Sequence, residues 1–151
     1  MTRLLVYRFG ADAGFEGQLV GALERVEAEG PRRVLGVLLI ARDDAGERFA
    51  VDLQGGRAGG LTASLLSFRL DVEERRRLTR RALRSARADL ITAVGERLAP
   101  GDAVIALLVN EAPQDAFDDA VTRIGGRTLV STVVSATSLS ELAPAIVAAL
   151  R

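Results

Sequence analysis

Apolar positions along this chain fall into two rhythms, short unbroken runs and longer stretches in which they recur every three or four residues. Leu4, Leu5, Val6, Tyr7 and Phe9 form a run that predicts a strand over 4–9. Gly10-Ala11-Asp12-Ala13-Gly14 turns the chain, with Asp12 suited to cap a helix. Phe15, Leu19, Ala22, Leu23 and Val26 then recur at helical spacing until Gly30-Pro31 stops the helix. The segment 34–41 is apolar throughout and predicts a second strand. Phe49, Val51 and Leu53 alternate with Arg48, Ala50 and Asp52, so the chain returns as a hairpin across 42–46.

Beyond a Gly-rich connector over 54–60 and a mostly apolar segment over 61–70, one long helix is predicted over 72–98. Leu83, Ala86, Leu90, Val94 and Leu98 mark its inner positions. Pro100-Gly101-Asp102 ends it, and 103–109 is another fully apolar strand. Pro113 can open a helix without losing a hydrogen bond, and Phe117, Val121 and Ile124 form that helix's inner stripe before Gly125-Gly126. A β-branched strand follows over 128–134. Ser138-Leu139-Ser140-Glu141 offers a capping box for a C-terminal helix, and Pro144 argues that regular helix starts late or is kinked there.

A weak internal repeat orders these elements. Leu5 to Phe15 has the spacing of Leu107 to Phe117, each spanning strand, turn and the start of a helix, with Leu19 and Val121 one helical turn on. Two βαβ units so related predict an α+β, ferredoxin-like fold with an inserted hairpin strand and a long central helix. The whole chain, 1–151, is expected to be a single domain: 1–53 is the first unit with its hairpin, 54–101 the connector and long helix, and 102–151 the second unit with a C-terminal helix. Strands apolar on both faces belong to a sheet covered on both sides. The helices of the two units can cover one face, leaving the other for the long helix, the C-terminal helix or a second subunit.

Composition narrows the chemistry. With no Cys and no His, thiol and imidazole catalysis, zinc fingers and ligation of haem by those residues are excluded. The twenty basic residues are all Arg, balanced by twenty acids, which also removes a Ser-Lys dyad. The absence of Cys fits a reducing compartment, and Arg3 and Arg8 leave no room for a leader's apolar core, so a cytoplasmic location is expected. The longest apolar runs fall well short of the ~20 residues of a transmembrane helix.

The order of elements, with the hairpin turn Ala41-Arg42-Asp43-Asp44-Ala45-Gly46 in the first part and Pro100-Gly101-Asp102-Ala103, Phe117 and Gly125-Gly126-Arg127 in the second, resembles the bacterial families catalogued as domains of unknown function 1269 and 6325. The resemblance spans 4–53 and 100–134, about half the chain. It implies the ferredoxin-like fold and supplies no catalytic residues. Members of the first family often carry a Gly-rich, apolar, membrane-like insert in the middle. This chain departs there, with a short apolar segment and then an Arg-rich helix.

Three clusters are candidate sites. The glycines of 54–60 lack the lysine of a P-loop and the spacing of a dinucleotide fingerprint, so backbone flexibility is the better reading. Asp43, Asp44, Glu111, Asp115, Asp118 and Asp119 lie in turns and at a helix start, where the helix dipole accounts for most of them, and they lack a calcium-loop spacing. Arg75, Arg76, Arg77, Arg80, Arg81, Arg84 and Arg87 make the third, with Arg77, Arg80, Arg84 and Arg87 on one helical stripe and Arg76 and Arg81 beside it. Nucleic acid is disfavoured as its partner. The chain is neutral, Glu73 and Glu74 sit one turn before Arg77, and no aromatics interleave to stack bases.

The expectation is therefore a non-enzymatic structural or accessory domain that self-associates as a homo-oligomer, without cofactor or metal. Its contact surface would be Arg76, Arg77, Arg80, Arg84 and Arg87 with the apolar anchors Leu65, Leu66 and Phe68. A small-ligand sensor and an Arg-mediated nucleic-acid binder are the alternatives.

Overall fold

The computed structural model describes residues 2–10, 34–43, 45–54, 72–110, 118–119, 121–122, 126–135 and 139–150. Five strands form one antiparallel sheet: β1 (Thr2–Phe9), β2 (Val34–Arg42), β3 (Arg48–Gln54), β4 (Ala103–Asn110) and β5 (Arg127–Val134), in the order β3-β2-β4-β1-β5. Three α-helices are described: α1 (Val72–Ala82), α2 (Ala88–Gly95) and α3 (Ala143–Ala149), the last preceded by a 3-10 turn over Leu139–Leu142. The fold is thus α+β. The predicted helix over 15–26, the connector over 55–60, the segment 61–70 and the capping residue Ser138 lie outside the described residues.

The unbroken apolar runs occupy the middle of the sheet. β4 pairs with β1 on one side and β2 on the other, and its residues from Ala103 to Val109 are all buried. Both faces of β1 are buried too, as its sequence requires. Leu4 and Val6 face a core built with Ala82, Leu90, Ile91, Val94, Leu98, Leu139, Ile146 and Leu150, so α1, α2 and α3 cover that side. Leu5, Tyr7 and Phe9 face the opposite side, where Val121 is also buried. Each such aliphatic side chain contributes about 1.5–3 kcal/mol through burial, so the covered faces dominate stability.

The strand register bears the trace of the internal repeat. Leu5 and Leu107, equivalent in the two copies, are direct partners between β1 and β4. The pairing of β1 with β5 shifts between Val6 and Tyr7, and that of β2 with β4 shifts between Val34 and Gly36. Each shift leaves an extra leucine, Leu129 in β5 and Leu35 in β2, and both are packed against the helix-side core. These bulges occupy matching places, because Val6 and Leu108, the residues opposite them, stand at the repeat's own offset.

The helix predicted over 72–98 is two helices, because Ser85 interrupts it. Its hydroxyl donates to the Ala82 carbonyl and accepts from the Arg87 N–H at 3.1 Å, offering the backbone a turn in place of the helical ladder. Leu83 and Ala86, expected inside, are consequently exposed, Leu83 at 46%. Leu90, Val94 and Leu98 point inward as expected. At the C-terminus regular helix begins late, at Ala143, with Pro144 in its first turn, where the missing N–H costs nothing.

Two glycines with positive φ shape the sheet's near end. Gly46 (φ 86) closes the β2–β3 hairpin, donating its N–H to the Asp43 carbonyl, and Gly101 (φ 88) donates to the carbonyl of Arg42. Arg42 ties both turns down: its guanidinium donates to the carbonyls of Gly46 at 3.1 Å and Leu98 at 2.8 Å.

Candidate functional site

The arginine cluster is the natural first candidate, and the fold disperses it. Arg75 lies 4.7 Å from the centre of the Phe49 ring, an internal cation–π contact. Arg76 pairs with Glu47 of the hairpin and with Glu73, and Arg77 forms an ion pair with Glu74. That hydrogen bond holds the exposed Glu74 carboxyl below its ordinary range and raises the Arg77 guanidinium above its own. Arg87, placed by sequence on the same stripe, instead turns inward beyond the Ser85 break and meets Asp52 of β3 at 2.6 Å. The Asp52 side chain is 5% exposed, so this is a structural ion pair. Arg80, Arg81 and Arg84 are exposed on the outer side of the helix and the turn after it. Leu65, Leu66 and Phe68 lie outside the described residues.

α1 also has a task that sequence did not signal. The Thr79 hydroxyl accepts the Ala50 N–H at 3.0 Å while donating to the Arg75 carbonyl. β3 is the last described strand on its side of the sheet, so α1 lies along that edge and satisfies an edge donor. The opposite edge differs. No described strand pairs with the outer side of β5. Thr132 and Val133 are exposed there, Val133 at 48%. From Thr128 to Val134 the strand has no charge and no proline.

Two of the acidic residues, Asp43 and Asp118, serve local structure. Asp43 Oδ1 accepts the Glu47 N–H at 2.8 Å within the hairpin, and Asp118 Oδ1 accepts the Tyr7 hydroxyl at 2.8 Å. Burial, reinforced by the Asp118 hydrogen bond and charge, raises the Tyr7 phenol far above its ordinary value. No cluster of three metal-ligating side chains occurs among the described residues, and no described helix is long and apolar enough to cross a membrane. Asp44, Glu111 and Asp115 lie outside the described residues.

Two clefts open on the described surface. One, of about 150 Å³, lies between the β2–β3 hairpin and α1–α2 and is lined largely by Ile40, Phe49, Ala50, Leu83 and Ile91. The other, of about 330 Å³, opens where β1 ends and β5 begins, and its described lining is Arg8, Gly10, Asp102 and Arg127. Arg8 pairs with Asp102 at 2.8 Å, both side chains being about four-fifths buried (20% and 17% exposed). No family model, no curated protein and no solved structure matches the chain.

Proposed function

We propose that this chain is a ferredoxin-like domain that serves a structural or accessory role by self-association, joining a second copy through the outer edge of β5. The ferredoxin-like reading is supported by the strand order. With the hairpin strand β3 set aside, β2-β4-β1-β5 is the order of two interleaved βαβ units. β1 and β2 both run antiparallel to β4 between them, and β4 and β5 both run antiparallel to β1.

The observation that carries self-association is the contrast between edges, one lined by α1 and the other uncharged from Thr128 to Val134 with no described element paired to it. An exposed, uncharged edge strand is a template for pairing. Beyond its bulge, β5 is self-complementary. Pairing two copies antiparallel about Thr132 sets Val130 opposite Val134 and Ser131 opposite Val133, with a Thr–Thr pair at the centre. A contact of this kind uses the same patch on both partners and closes as a two-fold dimer.

Light scattering on the size-excluded protein, from low to high micromolar concentration, tests the reading. Wild type is expected to be a dimer, and Thr132→Lys with Val133→Lys a monomer of unchanged circular dichroism. A wild-type monomer throughout that range, or a lysine variant that stays dimeric, overturns it. Arg80→Glu with Arg84→Glu is the control for the arginine surface; dissociation by that pair alone would return the interface to α1.

A further inference from the structure

We propose that the cleft between the end of β1 and the start of β5 binds a phosphate-class anion through Arg8 and Arg127. The two arginines are direct partners in the β1–β5 pairing, so they stand side by side on one face of the sheet. Like charges directly opposite each other destabilise a sheet, and this pair is tolerated only with a counter-charge at hand. Asp102 supplies one, held against Arg8 at 2.8 Å. No described residue supplies another for Arg127, whose exposed side chain borders the same cleft of about 330 Å³. Among the described residues, then, the cleft sets two guanidinium groups against one carboxylate. Arg8, fixed by its carboxylate and mostly buried, is already oriented.

The β5 bulge creates this arrangement. Counting regular alternation back from Val130, which is opposite Val6, Arg127 would fall on the other face of the sheet. The extra residue Leu129 reverses the phase and brings Arg127 opposite Arg8. Two guanidinium forks aimed into one open cleft match the tetrahedral oxygens of phosphate, which arginine binds through paired N–H donors. Gly10 adds no side chain to the lining, and even a Cβ there would meet nothing within 4 Å, so an anion bearing a small substituent has room. The shared chemistry is that of inorganic phosphate and of phosphate monoesters.

The test is titration of the full chain with inorganic phosphate and, separately, glycerol phosphate, at constant ionic strength set with chloride. Binding is read by phosphorus NMR linewidth and thermal shift. Saturable broadening and a rise in Tm are expected with phosphate. A tighter glycerol phosphate means the substituent is recognised, and equal affinity means the phosphate group alone is; both support the site. Arg127→Gln is expected to weaken binding about tenfold or more, and Arg127→Lys, which keeps the charge without the fork, to weaken it less. Arg80→Gln, an exposed arginine outside the cleft, should leave affinity unchanged. Phosphate acting no differently from chloride, or Arg127→Gln binding as wild type does, overturns the proposal. Light scattering of Arg127→Gln separates this result from any effect on pairing through β5.

Discussion

Tyr7 is the chain's one tyrosine, its hydroxyl donating to Asp118 from a fully buried ring. Its raised folded-state pKa makes a signed prediction. Below the unfolded tyrosine value of about 10, folded and unfolded chains hold the same proton and the contribution to stability is complete. As pH rises beyond about 10 the unfolded chain ionises and the folded one does not, so stability falls by about 1.4 kcal/mol per pH unit. With no Trp in the chain, tyrosinate absorbance near 295 nm is a clean readout of this one group. It should rise together with unfolding, and Tyr7→Phe should abolish this part of the alkaline slope; tyrosinate forming in a still folded protein would refute the account. Gly126 gives a second test at the same scale. A Cβ there would lie 2.6 Å from Phe9 and 2.8 Å from Val121, both 1% exposed and unable to yield. Gly126→Ala should cost about 1–3 kcal/mol by urea denaturation, while Gly10→Ala should stay within about 0.5 kcal/mol.

Between elements, the contacts that matter join residues far apart in sequence. Thr79→Val keeps the shape of the side chain and removes the acceptor for the Ala50 N–H, so it should cost about 1–3 kcal/mol, with Thr79→Ser restoring most of it. Arg87→Ala strips the partner from a buried carboxylate and should cost about 3–5 kcal/mol, whereas Arg87→Met with Asp52→Leu should recover much of the loss. Equal losses for the single and the paired variant, in chemical denaturation, would contradict that reading.

The five described strands are legible in the sequence, β1, β2 and β4 as apolar runs, β3 by its alternation and β5 by its β-branched residues. The helical break at Ser85 is not, since a lone serine in a helical pattern is ordinary and only its two local hydrogen bonds show the competition. The Arg77–Glu74 pair could be read from spacing; the Arg87–Asp52 pair could not, because it depends on where the turn between α1 and α2 brings Arg87 against β3. The Arg8–Arg127 cleft was hidden for a similar reason. It depends on one bulged residue, and simple alternation places Arg127 on the wrong face.

For the whole molecule, the order β3-β2-β4-β1-β5 leaves two edges of opposite character, one with α1 along it and one with no described element paired to it. If β5 is the contact, measured mass should rise with concentration to that of a dimer and stop there, as sedimentation equilibrium would show. The α1 seal then has a meaning beyond stability. On that reading the folded chain is, in the language of polymer chemistry, a monofunctional unit: one reactive end among its described edges, which joining consumes. A change that peels α1 away from β3, such as Thr79→Pro, would create a bifunctional unit, able to add a neighbour at each end and grow into filaments. On the same reading Thr79 is part of a chain terminator, and the small hydrogen bond it accepts from Ala50 would help keep such an assembly finite.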